Sequence, residues 1–233
     1  MRQTMDERER YKQLVGAYAA DMVQSNTVIG LGTGSTATHF VSALAARLRA
    51  GTIQNVLGVP TSERTAVQAR AEGIPLTDLH AHPMLAAAFD GADEIDPHLG
   101  LIKGLGGALL REKIVASAAA EFYIFGDTSK MVRTLGVVTP VPVEIVDFAR
   151  SLCMRRLQEL GARPVLRLRD GQPQITDEGH VIVDCFFDGI SDPGSLNTAI
   201  LAIPGVVETG LFLGMAKAAI IGGADGIQVV YPQ

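Results

Sequence analysis

Short apolar runs that break into glycine turns, each followed by a helix-length segment, limit more than any other feature what this chain can fold into. Thr27-Val28-Ile29-Gly30-Leu31-Gly32 reads as a buried strand entering such a turn, and a helical segment runs from Ser35 to about Ala50. Strand-like runs recur at 56–59, 74–76 and 85–89, with a helical stretch at 62–72 between the first two. An amphipathic helix over 11–24 stands in front, and a further helix over 107–120 leads into the strand Phe122-Tyr123-Ile124-Phe125. Strand and helix alternating in this way predict an α/β fold, a mostly parallel sheet covered by helices on both faces. Ligands of such sheets bind outside the carboxyl ends of the strands, where the glycine turns lie.

The pattern changes near Thr139-Pro140-Val141-Pro142. Beyond it the reading is strand 142–146, helix 147–160, strand 163–169, strand 180–187, helix 192–202 and strand 206–212. That order, β-α-β-β-α-β, is the ferredoxin-like split unit, a smaller α+β domain. Asp170-Gly171 and Asp177-Glu178-Gly179 supply turn chemistry between its middle strands. The runs 218–222 and 227–230 are too short to stand alone and are expected to return to the first sheet. The large domain is therefore discontinuous, 1–136 with 213–233, and the small one covers 137–212.

Composition excludes several partners. A formal charge of −5 argues against a nucleic-acid or anionic-membrane surface, though a local cluster of donors can still hold an anionic small molecule. Asp6 to Arg10 contain no apolar signal core, and no run approaches the roughly 20 apolar residues that span a bilayer. Cys153 and Cys185 form no CxxC pair, which suits a reduced, cytoplasmic protein. The cations are fifteen arginines and only five lysines, so a lysine beside a glycine loop has either a specific reason or chance behind it.

Three motifs carry chemistry. Gly30-Leu31-Gly32-Thr33-Gly34-Ser35-Thr36 sits where a strand becomes a helix, and amides at a helix N-terminus favour an anion such as phosphate. An ordinary cap by Ser35 or Thr36, or a dinucleotide fold, are the alternatives. The third glycine of the dinucleotide fingerprint falls on Ser35, no acid lies near 50–55, and no Gly-Lys-Ser/Thr follows. The second motif, Asp90-Gly91-Ala92-Asp93-Glu94-Ile95-Asp96, gathers four acids after an apolar strand without EF-hand spacing. Its acids either grip a ligand or form a solvated turn. In the third, Lys103-Gly104-Leu105-Gly106-Gly107 opens a helix that carries Glu112, whose neighbours Ala108, Leu109, Val115 and Ala116 are apolar. If that face is covered, desolvation would make the carboxylate a stronger base near neutral pH. The alternative is that Arg111-Glu112-Lys113 forms the helix's exposed side. His80-Ala81-His82 lacks a third ligand at metal-site spacing, and Asp127-Thr128-Ser129-Lys130 either caps a helix or lets Lys130 reach a phosphate.

Together these segments resemble the A-type ribose-5-phosphate isomerases. GLGTGST, GVPTS at Gly58–Ser62, DGADEID, KGxGGALLREKI, DxSK at Asp127–Lys130 and AIPGVVETGLF at 202–212 stand in family order, and the resemblance covers essentially the whole chain. It implies a Rossmann-like large domain shared with sugar-phosphate deaminases and coenzyme A transferases. It also implies a cytoplasmic homodimer or larger homo-oligomer and aldose-ketose isomerisation of ribose 5-phosphate with no metal or other cofactor. Glu112 is then the catalytic base, with Asp90, Asp93 and Lys103 as further catalytic groups. Thr33, Gly34, Ser35, Thr36, Asp90, Gly91, Ala92, Asp93, Lys103, Gly104, Leu105, Gly106, Lys130 and Lys12 would bind substrate. Leu105 departs from a family glycine, which matters only if that backbone needs a positive φ. Lys217 replaces a residue that is often acidic, away from the expected site. A non-catalytic sugar-phosphate sensor and a coenzyme A transferase-like enzyme are the rival readings.

Overall fold

A computed structural model describes residues 5–233, with side chains from residue 7 onward. Its helices are α1 (Met5–Asp21), α2 (Ser35–Arg49), α3 (Glu63–Ala71), α4 (Leu109–Ala118), α5 (Arg150–Glu159) and α6 (Pro193–Leu201). The strands begin with β1 (Val28–Leu31), β2 (Leu57–Pro60), β3 (Ala87–Gly91), β4 (Glu94–Ile95), β5 (Leu101–Ile102), β6 (Phe122–Asp127) and β7 (Val141–Ile145). They continue with β8 (Arg163–Leu166), β9 (Leu168–Arg169), β10 (Gln172–Pro173), β11 (Val181–Phe186), β12 (Val206–Thr209), β13 (Leu211–Phe212), β14 (Ala218–Gly223) and β15 (Gly226–Val230). The chain folds as two compact units. The first takes the chain up to Gly91 with Arg111–Lys130 and Met215–Gln233; the second takes Ala92–Leu110 and Met131–Gly214.

The first unit is built on a six-stranded sheet in the order β2-β1-β3-β6-β14-β15. All neighbours pair parallel except the edge strand β15. Chain order reverses about β1, with β2 on one side and β3 on the other, and such a switch point opens a crevice at the carboxyl edge. On one face, Phe40, Val41 and Leu44 of α2 and Val15 and Ala19 of α1 bury Ile29, Leu31, Phe89 and Phe125. The rings of Phe40 and Phe89 stack with centroids 4.9 Å apart. Burying each large apolar side chain contributes about 1.5–3 kcal/mol, enough to fix which helix face turns inward. On the other face α4 approaches so closely that a Cβ on Gly30 would lie 2.4 Å from Val115 Cγ1. Glycine there lets helix and strand touch.

The second unit contains a fully antiparallel sheet in the order β12-β7-β11-β8, joined by α5 and α6 in the β-α-β-β-α-β sequence. Val141, Val143, Ile145, Cys153, Leu157, Val183 and Ile200 form its core. Between β8 and β11 the chain makes a hairpin, β9 with β10, whose two turn residues Asp170 (φ 52°) and Gly171 (φ 77°) both have positive φ. That is the signature of a tight turn matched to strand twist, and Asp-Gly is a preferred pair for it. A separate three-stranded ribbon, β13-β5-β4, holds the segments that carry Asp93 and Lys103.

Some expected elements are shorter. The run 74–76 makes only a bridge, Leu76 to Gly58, because Pro75 lacks a donor for the ladder. The helix expected from 147 begins as a 3₁₀ turn over Asp147–Ala149 before α5. The run 206–212 divides into β12 and β13, which join different sheets. Among the described residues, no helix is long and apolar enough to cross a membrane.

Candidate active site

At the carboxyl edge of the parallel sheet, the glycine turn after β1 is tied to the end of β3. Gly32 N–H donates to Phe89 O at 2.9 Å, and Thr33 N–H donates to Asp90 Oδ1 at 2.9 Å. Asp90, 2% exposed, also accepts from Gly91 N–H at 2.7 Å. A side chain at Gly32 would put its Cβ 2.3 Å from Asp90 Oδ1, so the turn closes only with glycine. Thr33 Oγ1 enters a buried cluster of hydroxyls with Thr61 (2.8 Å), Ser62 (2.7 Å) and Thr65 (3.0 Å). This is where the Thr-Ser pair of GVPTS is placed, locking the turn from below.

The start of α2 decides between an ordinary cap and an anion site. Its N-cap is Gly34 (φ 127°, ψ 176°), a conformation left to glycine, and no side chain caps the helix. By contrast α3 and α6 are capped by Ser62 and Asp192, which accept from Thr65 N–H and Ser195 N–H. Ser35 is exposed and Thr36 half-buried at this helix mouth, and a Cβ on Gly34 would meet nothing within 4 Å. Amides at a helix start with no capping side chain, beside open space, are suited to a phosphate.

Glu112 lies in the first turn of α4 and is 4% exposed, and Ala108, Leu109, Val115 and Ala116 on the same helix stretch are buried as well. Its neighbour Arg111 turns away to pair with Glu63 at 2.8 Å. Lys130 ends a 3₁₀ turn after β6, half-buried on the same carboxyl edge as the glycine turn, where Asp127 Oδ1 accepts from Ser129 N–H at 2.8 Å. Lys12, on α1, pairs with Glu9 at 3.3 Å. The first unit thus brings Thr33–Thr36, Asp90, Gly91 and Lys130 to one sheet edge.

The second unit carries the other set. Lys103, 2% exposed, follows β5; its N–H donates to Gly210 O at 2.9 Å, and its Nζ lies 5.4 Å from the centroid of the Phe212 ring. Phe212 would have been hard to single out, since in sequence it is one more core aromatic. Asp93 N–H donates to Ile102 O at 2.8 Å, and Asp93 Oδ2 accepts from Leu105 N–H at 2.9 Å. Gly104 (φ 104°) and Gly107 (φ 84°) take the left-handed conformations in this loop, whereas Leu105 is not among the positive-φ residues. Leucine is therefore unstrained there, and its N–H serves the Asp93 carboxylate.

The acidic motif is not a solvated turn. Asp90 holds the first glycine turn and Asp93 holds the second. Glu94, 1% exposed, accepts from Gly136 N–H (2.7 Å), Val138 N–H (3.0 Å) and Thr139 N–H (2.6 Å). Asp96 accepts from His98 N–H (2.9 Å) and Gly100 N–H (2.8 Å). His82 Nδ1 and Thr77 Oγ1 share a hydrogen bond of 2.8 Å, and among the described residues no three His, Cys, Asp or Glu side chains are grouped to hold a metal ion. Lys217 pairs with Glu121 ahead of β14, at the amino edge of the sheet.

The α/β fold, with an uncapped helix mouth at the carboxyl edge of its parallel sheet, defines a class of proteins that take small phosphorylated molecules. Residues 57–226 match the model of the family ribose 5-phosphate isomerase A (phosphoriboisomerase A), and the chain belongs to that family. It is 59% identical over 218 residues to the ribose-5-phosphate isomerase A of Roseiflexus castenholzii, covering 93% of each chain. Among solved structures, ribose 5-phosphate isomerase A of Methanocaldococcus jannaschii superposes with a TM-score of 0.92 at 40% identity, covering 96% of this chain and 99% of that one. A D-ribose-5-phosphate isomerase in complex with phospho-erythronic acid superposes with a TM-score of 0.94 at 36% identity, covering 96% and 98%.

Proposed function

We propose that this aldose-ketose isomerase interconverts D-ribose 5-phosphate and D-ribulose 5-phosphate with Glu112 as the base. The observation that carries the assignment is the burial of the Glu112 carboxylate, 4% exposed in the first turn of α4. The phosphate sits at the uncapped N-terminus of α2, on the amides of Gly34, Ser35 and Thr36 and the hydroxyls of Ser35 and Thr36, with Thr33 shaping the turn through its bonds to Asp90 and Ser62 and with Lys130 and Lys12 supplying charge. Asp90 assists opening of the furanose ring. Glu112 takes the proton from C2 of the open aldehyde, and the electron pair moves through a cis-enediolate onto O1. Lys103 stabilises that oxyanion, and Asp93 passes the hydroxyl proton from O2 to O1. Glu112 then returns its proton to C1 as the C2 carbonyl forms, so no proton is lost overall. The backbone of Gly91, Ala92, Gly104, Leu105 and Gly106 lines the path of the sugar.

A positioned base contributes roughly 10²–10⁴ in rate and one oxyanion donor a similar factor, which together suffice for an α-proton without a metal. The complex of the related isomerase with phospho-erythronic acid supports the substrate class. A homodimer or larger homo-oligomer in the cytoplasm is the proposed setting, in keeping with two buried free thiols. The test is ketopentose phosphate formation from ribose 5-phosphate in the presence of a chelator. Glu112→Gln should lower kcat by about 10²–10⁴ while the sugar phosphate still binds; a variant with near-normal kcat removes Glu112 from its role.

A further inference from the structure

The glycine turn after Lys103 is held by a side chain from elsewhere in its unit. Arg167, between β8 and β9, is 10% exposed at its side chain and forks onto Asp184 of β11, with Nε 2.9 Å from Oδ2 and Nη2 on Oδ1. Its remaining Nη1 donates to Gly104 O at 2.7 Å and reaches Leu105 O at 3.3 Å. Gly104 O also accepts from Gly107 N–H at 3.0 Å, which closes the turn. The single peptide joining Gly104 to Leu105 is therefore bonded at both ends: its C=O to Arg167, its N–H to Asp93 Oδ2 at 2.9 Å.

Such a tie is needed because the turn has little else to order it. Three of its four residues are glycines, which lose the most conformational freedom on folding. Leu105 is 42% exposed and cannot anchor the backbone by packing. A guanidinium suits this task because its planar donors engage a carboxylate fork and a carbonyl at once; an ammonium group is a point charge with no such fork. A donor on the carbonyl also polarises the peptide and strengthens the bond its N–H makes to Asp93.

We propose that Arg167, oriented by Asp184, is a positioning residue for the isomerisation, fixing the Gly104–Leu105 peptide so that the Leu105 N–H holds the Asp93 carboxylate in place. The proposal rests on the reading of Asp93 as the proton relay. Arg167 touches no reacting atom; it acts through one peptide and one carboxylate. A misplacement of about 1 Å at a catalytic group can cost roughly 10² in rate, which sets the scale of the effect.

The experiment is a mutant cycle with ribose 5-phosphate, measuring kcat, KM and the urea midpoint for Arg167→Ala, Arg167→Lys and Asp184→Asn, each with Asp93 intact and with Asp93→Ala. Arg167→Ala should lower kcat about 10- to 100-fold and leave KM within about threefold, with Arg167→Lys and Asp184→Asn intermediate. With Asp93→Ala the same changes should alter kcat less than about twofold, because the group being positioned is gone. Added guanidinium ion at low concentration should restore part of the kcat of Arg167→Ala, and potassium at equal ionic strength should not. A loss that persists undiminished beside Asp93→Ala, or an unchanged kcat in Arg167→Ala, overturns the proposal. Should Arg167→Ala not fold, Arg167→Lys and Asp184→Asn complete the same cycle, and the same two results overturn it. If Asp93→Ala alone leaves kcat unchanged, the relay role itself fails and takes this proposal with it.

Discussion

Gly32→Ala is the substitution whose cost the structure sets most sharply. The new Cβ would lie 2.3 Å from Asp90 Oδ1 and 2.5 Å from Phe89 O, whereas real Cβ atoms stay beyond 3.0 Å. The carboxylate must then retreat by about 0.7 Å, the difference between 3.0 and 2.3 Å. A retreat of that size away from the turn stretches the 2.9 Å bond from Thr33 N–H to about 3.6 Å, which is no longer a hydrogen bond. Overpacking costs about 1–3 kcal/mol and a lost bond to a charged acceptor about 1.5–3 kcal/mol, so the expected destabilisation is about 2.5–6 kcal/mol. For a chain of this length that lowers Tm by roughly 5–24 °C. Gly91→Ala is the control: the nearest atom to its Cβ would be Phe125 O at 3.9 Å, an ordinary contact, and its stability should change by less than about 1 kcal/mol. Calorimetry on both variants decides the matter. A Gly32→Ala protein melting within about 3 °C of the parent would show that β1 and β3 can separate freely, and this explanation of the turn would be wrong.

Other consequences can be measured in the same way. Glu94→Gln replaces an acceptor of three N–H groups by an amide that presents its own donors to them, and should cost at least about 3 kcal/mol while speeding proteolysis around 136–139; an unchanged urea midpoint refutes this. Burial pushes the Glu144 carboxyl above its usual range, although Thr176 and His180 hydrogen bond to it and partly oppose the shift. Its contribution to stability is therefore fullest when it is protonated and is lost as pH rises above about 4.5 through the raised value. The stability of Glu144→Gln relative to the parent should accordingly increase between about pH 4.5 and 8; a pH-independent difference argues against it. Burial also pushes both thiols, Cys153 and Cys185, above the usual range, so the native protein should react with a thiol reagent only on opening, and rapid labelling of two thiols would contradict their placement.

The order of elements and both sheet types were legible because they rest on local periodicity and turn chemistry. Asp170-Gly171 forms the turn its composition suggests, and Glu112 is buried together with its apolar neighbours. What escaped is what depends on distant pairing. The two-residue strands β4 and β5 have no periodicity of their own and exist because β13 comes back to pair with β5. Ala92–Leu110 belongs to the second unit, whereas the change of element pattern along the chain puts boundaries only at 137 and 213. Nothing beside Arg167 in sequence marks it as a partner of Gly104, 63 positions away. The four acids of 90–96 read locally as a charged turn; each one's task is set by a different stretch of backbone.

The places where the chain passes from one unit to the other have a practical meaning. It leaves the parallel sheet after Gly91 and returns at Arg111, so two of its four crossings fall inside the very stretches that carry Asp90, Asp93, Lys103 and Glu112. A minimal enzyme cannot be cut from this protein by deleting the later half, because β13 would go with it and leave the ribbon beneath Lys103 without a partner strand. Shortening is better aimed at the β9–β10 hairpin tip, where nothing lies within 4 Å of a Cβ on Gly171 and the chain can be trimmed or extended without disturbing a neighbour.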